Sequence, residues 1–495
     1  MTRPSAVGRR GAAFATAALA VWAATAVTTL TSPRAASAGG AVAAILAVGV
    51  RRWPLAAAAA LGLACGAGSA AWHLRLLRDG PLPVLASRHT EVRVVARLVR
   101  DPSVVTTASG VPMTIVDATA SSVDSGVRRA VDAPILVLSY QPGWAGMLPG
   151  QRVEVTGRLR PPRTGDDVAA VLAARGPPTL LGVAPWWQRL AGRVRHDLLA
   201  ACRGLPVAAR GLVPGLVDGD TSAIPTGLQA DLRATGLTHL QAVSGENVSI
   251  VIGVVLALSR LAGLRRWARV AVAGAALLGF VVVARPSPSV LRAAVMGAVV
   301  LAAMLVGRPV SPLRALSAAV AILLCADPFL AHSVGFALSV CATAGLLLLA
   351  PAWSRRLAQR LPPGVAAALA VPAAAQVACT PILVLAFGQL TPYAIPANLL
   401  AAVAVPAATV LGVTCAAVAA VCVPVAVPIA WLAAIPSMWI ACVARSLAAL
   451  PGAGLRVGPR MSAVLVAGGV VIGAGTVLAA VRRARGRDML GAWRP

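Results

Sequence analysis

A series of long apolar runs constrains the fold of this chain more than any other feature. A hydrocarbon core about 30 Å thick takes roughly 20 apolar residues of α-helix to cross. By that measure the sequence predicts twelve candidate spans, at 11–30, 36–50, 54–72, 241–259, 270–284, 289–307, 313–327, 333–351, 364–388, 394–412, 414–433 and 461–480. A backbone in lipid must satisfy its own hydrogen bonds, so the runs predict a mainly α polytopic membrane protein with about 12 transmembrane helices.

The composition excludes the other broad classes of protein. Of the 495 residues, 58% are hydrophobic and 12% are charged, whereas about 25% of an ordinary soluble domain is charged. A soluble enzyme and a disordered basic tail are therefore excluded. The eight cysteines form no C-x-x-C pair, so neither a disulfide framework nor a zinc site is predicted, and no cofactor is expected.

The positive charge is distributed as a membrane topology requires. The formal net charge is +28, and all 44 basic residues are arginine. An inside N-terminus places 18 arginines in the inner segments and five in the short outer segments, the long outer stretch between the third and fourth spans left aside. This asymmetry predicts a cell-membrane protein with both termini in the cytoplasm. A signal peptide cleaved near 36–38 is the alternative for the first span, but its apolar run of about 20 residues favours an uncleaved helix.

A polar stretch at 84–181 follows a period of two. Residues 91–98 and 152–160 alternate apolar and polar side chains, and 135–138 form an apolar run. Short strands between Gly and Pro turns predict an external small β-barrel, and about five strands in this length suit an OB-like barrel. The stretch has only two aromatic residues, Tyr140 and Trp144, so it offers little direct sign of base stacking.

A helical period returns at 185–205, where Trp187, Leu190, Val194 and Leu198 share one face. We expect this amphipathic helix to lie on the outer membrane surface, and a second interfacial helix within 434–460. The predicted parts are N-terminal transmembrane helices at 1–83, an external OB-like β domain at 84–181, an interfacial amphipathic helix at 182–205, a transmembrane core at 206–481 and a cytoplasmic basic tail at 482–495.

Polar residues inside the apolar core are few and informative, because an ionisable group at the bilayer centre costs about 2.5–3.5 kcal/mol. The densest polar stretch is Gly236–Val248, which opens the fourth span. A glycine among polar side chains favours a late or broken helix start that exposes backbone N–H groups. A polar cap at the outer interface is the purely structural alternative.

Arg292 lies several residues inside the sixth span. It either snorkels outward or faces a wet cavity, where it would pair with Glu246 or bind a phosphate. Asp327 ends the seventh span, and small residues at 335–345 favour close packing of the eighth helix. Prolines between 381 and 406 interrupt the later apolar sequence, as in helices that line protein or water-filled cavities.

These motifs together resemble a known family. The run at 239–245, His-Leu-Gln-Ala-Val-Ser-Gly, is similar to the H-L-x-A-x-S-G signature of the ComEC family of competence DNA-uptake channels. The order of parts also resembles that family over nearly the whole chain. The further stretches that carry the resemblance are 150–157 in the outer module, the acidic turn at 215–221, 289–293, Asp327-Pro328 with 335–339, and Pro392 through Asn398 to Pro406.

The resemblance implies a membrane channel, not an enzyme, that passes single-stranded DNA into the cytoplasm during natural transformation. Its implied partners are single-stranded DNA, the lipid bilayer, an external DNA receptor, a cytoplasmic ATPase and further copies of the chain as a homo-oligomer. We assign no catalytic and no metal-binding residue. The residues assigned to the translocation path are His239, Gln241, Ser244, Gly245, Glu246, Asn247, Arg292, Asp327, Ser339 and Asn398.

The sequence departs from the family pattern at two points. Asn247, preceded by Glu246, stands where many members carry histidine, and an acid beside a nucleic-acid path needs neutralisation, for which we expect Arg292. The H-x-H-x-D-H run of the larger members is missing, so we expect no metal-dependent nuclease here. The sequence has no P-loop motif, so ATP-driven pulling would come from another protein.

Three other functions remain open at this stage. Buried polar groups and broken helices would equally serve a transporter or channel for another solute. A shortened, inactive paralogue is the second alternative. An intramembrane hydrolase using Ser244 and His239 is disfavoured, because the G-x-S-x-G elbow and an orienting acid are missing from the sequence.

Overall fold

A computed structural model describes residues 5–49, 54–107, 110–163, 166–241, 243–458 and Gly468. Two 3₁₀-helices, Thr238–Leu240 and Pro328–His332, lie among its elements. The α-helices are α1 (Ser5–Thr28), α2 (Pro33–Gly49), α3 (Pro54–Arg78), α4 (Pro81–Ser87), α5 (Trp186–Ala201), α6 (Val207–Asp218), α7 (Thr226–Ala234), α8 (Gly245–Leu261), α9 (Arg266–Ala284), α10 (Pro288–Val306), α11 (Pro312–Ala326), α12 (Val334–Leu348), α13 (Ala350–Leu357), α14 (Pro363–Phe387), α15 (Ala394–Ala402), α16 (Val405–Ala419) and α17 (Val423–Ala448). The strands are β1 (Glu91–Leu98), β2 (Ser103–Thr106), β3 (Pro112–Asp124), β4 (Arg128–Ser139), β5 (Arg152–Arg160), β6 (Ala170–Ala174), β7 (Thr179–Leu180), β8 (Gln389–Leu390) and β9 (Leu455–Arg456).

Five of the described helices are long and apolar enough to cross a membrane, namely α3, α9, α10, α14 and α17. Two bent pairs, α12 with α13 at 42° and α15 with α16 at 52°, raise the number to seven if each pair is one span. The prediction of a mainly helical, multi-pass protein is confirmed. The number twelve stays a prediction, because several apolar helices are shorter than a full span and the predicted span at 461–480 lies outside the described residues, as does the tail at 482–495.

The predicted β domain is present, but as a seven-stranded sheet and not as the small β-barrel of about five strands that the sequence predicts. The strand order is β1-β3-β4-β6-β5-β7, and β1 also pairs with β5. The pair of β4 with β6 is parallel and the others are antiparallel. The number of strands is higher than predicted because two short strands extend the sheet where the sequence shows no long alternating run. They are β2, which pairs with β3, and β7, which pairs with β5.

Strict alternation along β5 places its apolar side chains in the core of this domain. Val153, Val155 and Leu159 are buried, whereas Arg152 and Arg158 are exposed. The same pattern on β1 and β4 completes one apolar core, because alternate side chains of a strand point to opposite faces. Residue Trp144 is also buried in this core and is therefore not a free stacking surface.

The first three helices form a tight group through small residues. Ideal Cβ atoms at Gly62 and Gly66 of α3 would lie 2.4 Å from the Ala17 carbonyl oxygen and 2.7 Å from that of Val21 on α1. Only glycine therefore fits this helix crossing, as in other small-xxx-small pairs. The other face of α1 packs on α11 and on the 3₁₀-helix 328–332, where the Trp22 indole donates to the Ala331 carbonyl at 3.2 Å.

The helix α5 occupies the segment in which the sequence predicts an amphipathic helix. Its inner face, with Val194 and Leu198, packs against α16 and α17, and its first residues, Trp186 and Trp187, are 66% and 46% exposed. A position at the membrane surface stays our prediction for this helix. The prediction of a second interfacial helix within 434–460 is wrong, because α17 runs unbroken through Pro428 and Pro436 to Ala448. The boundary between helices lies before residue 423 instead.

Candidate functional site

The centre of the candidate site is the buried guanidinium of Arg292, one turn into α10. Its Nε donates to the Ser339 hydroxyl on α12 at 2.8 Å, and its Nη1 lies 3.0 Å from the Met296 sulfur. The hydroxyls of Ser289 and Ser339 are 3.2 Å apart. The structure therefore brings two predicted residues, Arg292 and Ser339, together with a hydroxyl from the start of α10.

A third helix, α8, reaches this cluster through its first residue. An ideal Cβ at Gly245 would lie 2.6 Å from Nη2 of Arg292, so any side chain at this position would require the guanidinium to shift. Ser244 caps the helix by accepting from the Asn247 N–H at 3.3 Å. The positive end of the α8 dipole and the Arg292 charge therefore point to one place, which is the environment that an anion binds.

The expected ion pair between Arg292 and Glu246 does not form. The Glu246 side chain is exposed, and no ion pair of Arg292 with any acid occurs within 4.0 Å among the described residues. The reason is helical geometry, because one residue turns a helix by about 100°. Since Gly245 faces Arg292, the next side chain points away from it.

Asn247 belongs to a different, fully buried contact. Its Nδ2 donates to the Leu216 carbonyl on α6 at 2.8 Å, and its Oδ1 accepts from Thr409 on α16 at 3.3 Å and from Ser244 at 3.1 Å. The side chain is 0% exposed. Asn247 thus ties α8 to α6 and α16, and its contacts are those of a structural amide.

The other predicted residues do not join the Arg292 cluster by hydrogen bonds. Each makes a local or separate contact of its own. His239 contacts the Gly236 carbonyl oxygen at 3.2 Å, Gln241 donates to Gln229 O at 3.4 Å, Asp327 accepts from Phe329 N at 3.0 Å, and Asn398 donates to Ala394 O at 2.7 Å.

A buried carboxyl lies at the end of α6, in the acidic turn that the sequence singles out. Asp218 is 1% exposed; its Oδ1 accepts from the Asp220 N–H at 2.9 Å, and its Oδ2 has no hydrogen-bond partner among the described residues. Burial raises the pKa of Asp218 to about 6, and Arg195 of α5, 3.9 Å away, opposes this rise only in part.

Sequence reasoning missed a second arginine, Arg285, in the turn between α9 and α10. Its guanidinium binds both carboxylate oxygens of Asp101, at 2.7 and 2.9 Å, and also contacts the Gln188 amide oxygen. Its φ of 66° and ψ of 148° lie in a region that is nearly exclusive to glycine and costs about 1–3 kcal/mol. In the sequence, Arg285 is simply an arginine that precedes a proline and contributes to the charge asymmetry from which the topology is predicted.

Together these contacts define a class of protein. Apolar helices surround a polar cluster in which a buried cation, two hydroxyls and a helix N-terminus meet, and broken helices lie beside it, as in proteins that move polar solutes across membranes. Within the described residues no group of three or more His, Cys, Asp or Glu side chains is placed to hold a metal ion.

Comparison with known proteins gives the family. The family model described as Competence protein matches residues 216–482, which is more than half of the chain. The chain belongs to this family, the ComEC family of competence proteins, and is therefore a multi-pass membrane protein of DNA uptake. No curated protein and no solved structure matches the chain significantly.

Proposed function

We propose that the protein is a channel that passes one strand of DNA into the cytoplasm, and that the strand's phosphates contact the Arg292 cluster. The observation that carries this proposal is a guanidinium that is 6% exposed, has two hydroxyls nearby and makes no ion pair among the described residues. A buried charge without a counter-ion is costly. An entering phosphate would supply that counter-ion and can accept both of the fork's N–H groups.

The depth of the cluster fits an entrance better than a mid-membrane filter. Arg292 is the fifth residue of α10, so it lies about 6 Å along the helix axis from the first one. Because residue 245 is glycine, the guanidinium can lie directly against the N-terminal end of α8. We therefore assign Gly245, Ser289, Arg292 and Ser339 to the entrance of the path.

The remaining parts of the proposal concern the domains and partners. We propose that 84–181 is an OB-like external domain, and the pairing of β1 with both β3 and β5 and of β4 with β6 supports this. We propose that it braces the bundle, because Asp101 of this domain binds Arg285 in the turn before α10. A separate receptor would deliver duplex DNA, and a cytoplasmic ATPase would pull the strand. We propose that both termini are cytoplasmic and that copies of the chain assemble in the membrane.

The test is uptake of labelled duplex DNA by a deletion strain that carries the gene on a plasmid. The wild type should restore cytoplasmic label in one strand only. Arg292→Gln should lower that uptake by at least about tenfold, as expected when a desolvated contact worth about 1.4 kcal/mol or more is lost. Arg292→Lys keeps the charge without the planar fork and should give an intermediate value.

The matched control is Arg260→Gln at the far end of α8, compared at equal membrane levels. It also removes one arginine charge, but it lies at the opposite end of that helix from Gly245. Uptake by Arg292→Gln equal to that of wild type would remove Arg292 from the path. Uptake that does not depend on the gene would favour transport of another solute or an inactive paralogue.

A further inference from the structure

A polar joint connects the external β domain to the turn that starts α10. On the β domain it uses Asp101, which follows β1; on α5 it uses Gln188; and in the turn it uses Arg285. The guanidinium is 15% exposed and the carboxylate 34% exposed. This degree of burial distinguishes the pair from ordinary surface ion pairs, which contribute little.

The end of α9, just before this turn, is also held by α5. Arg195 of α5 donates to the Val283 carbonyl at 3.1 Å and to the Asp218 carbonyl at 2.6 Å. Two side chains of α5 and one of the β domain therefore hold Val283 at the end of α9 and Arg285 in the turn before α10. Such fixation explains how the positive φ of Arg285 persists, because surrounding contacts must hold a non-glycine residue there.

Hydrogen bonds continue from Arg285 to the cluster around Arg292. The Arg285 carbonyl accepts from Ser287 N at 2.9 Å. Ser287 then caps α10, since its hydroxyl accepts from Val290 N at 3.4 Å and its carbonyl accepts from Leu291 N at 2.9 Å. Arg292 is the next residue of the helix. The side chain of Asp101 is thus linked to the start of α10 through Arg285, which it binds, and through Ser287, which caps the helix.

We propose that Arg285 is a positioning residue through which the β domain sets the start of α10, and with it the place of Arg292 at the entrance. The proposal deepens the proposed function and rests on it only for the effect on uptake. Its structural part is independent, because the bidentate pair, the strained turn and the helix cap exist whatever the channel carries. Movement of the β domain relative to the bundle would release the turn and shift Arg292.

Hydrogen–deuterium exchange of the full-length protein in lipid nanodiscs tests the structural part. Asp101→Asn keeps the shape of the side chain but removes its charge, and it should speed exchange at the amides of Val290 and Leu291 by about tenfold. Arg285→Gly, which permits the positive φ but lacks the guanidinium, should give the same increase. Asp101→Glu keeps a carboxylate and should recover part of the protection.

The matched control is Glu91→Gln. Glu91 also pairs with an arginine, since Nη1 of Arg175 donates to both of its carboxylate oxygens at 2.9 and 2.8 Å, but this pair lies within the β domain. It should leave exchange at Val290 and Leu291 unchanged. Unchanged exchange in the strands of all variants would show that the β domain is folded. Wild-type exchange at these two amides in Asp101→Asn would overturn the proposal.

Uptake in the deletion strain tests the functional part separately. Asp101→Asn should lower uptake several-fold and Glu91→Gln should not. Faster exchange with full uptake would overturn the link between the joint and the entrance. Uptake that is independent of the gene would count against the proposed function alone, since the exchange measurement would still decide whether the joint positions α10.

Discussion

At the residue scale, the surroundings of Arg292 come from two other helices, because Gly245 begins α8 and Ser339 lies on α12. Gly245, Arg292 and Ser339 were singled out from polar positions in apolar runs, and they meet in one cluster. The pairing of Arg292 with Glu246 failed, because the rotation of α8 against α10 is decided by packing and cannot be read from spacing along one helix. Arg285 was overlooked because its partner Asp101 lies 184 residues away in the sequence, and only the folded chain brings the two side chains together.

Asp218 gives a pH-dependent prediction at this scale. Its pKa is raised in the folded protein to about 6, so the folded state holds a proton that the unfolded state releases near pH 4. Stability contributed by this group is therefore lost as the pH rises from about 4 to about 6. Asp218→Asn should raise the stability at pH 7.5 by an amount on the order of 3 kcal/mol.

Thermal unfolding of the purified protein from pH 4.5 to pH 7.5 checks the expected gain. The difference in Tm between Asp218→Asn and wild type should shrink as the pH falls. Asp220→Asn, two residues away and only partly buried, is the control. A constant difference across this range, or a loss of stability at pH 7.5, would contradict burial as the dominant effect on Asp218.

At the element scale, long regular helices were predictable and breaks between helices were not. The predicted spans 289–307 and 364–388 differ by one residue at each end from α10 and α14, because an apolar run without a competing turn specifies a helix. The sequence placed a break near residue 433, where prolines cluster, but α17 continues through Pro428 and Pro436. Prolines in membrane helices are tolerated where neighbouring contacts satisfy the freed carbonyl groups.

The contact between α1 and α3 gives a prediction at this scale. Gly62→Ala places a methyl group where the Ala17 carbonyl lies, so it should destabilise the protein by about 1–3 kcal/mol despite the better helix propensity of alanine. Gly68→Ala, in the same helix, is the matched control, because no atom lies within 4 Å of its ideal Cβ. Equal Tm values for the two variants would mean that α1 does not pack closely on Gly62.

At the scale of the whole molecule, the sequence predicted the parts but not their arrangement. The sheet, the amphipathic helix and the helical core follow from hydrophobic period and run length. The packing of α1 on α11, and the joint that connects Asp101 with Arg285, depend on contacts between segments far apart in sequence. Charge asymmetry alone predicts the sidedness of the whole assembly.

Alkaline phosphatase insertions test that sidedness, since the enzyme folds only outside the cytoplasm where its disulfides can form. An insertion after Ser125, in the turn between β3 and β4, should be active. An insertion after Gly263, in the turn between α8 and α9, should be inactive. The reverse pattern would invert the topology and place the β domain in the cytoplasm.

The contact between Trp22 and Ala331 also has a consequence for biogenesis. These residues are 309 positions apart. At about 5–20 residues per second, the ribosome needs roughly 15–60 s to make that length of chain. Throughout this interval, α1 is made but the later elements that complete its interface are not. The nascent chain therefore exposes an incomplete N-terminal group of helices to quality-control proteases and insertion chaperones. Variants that weaken the packing of α1 on α3 should be degraded before synthesis ends.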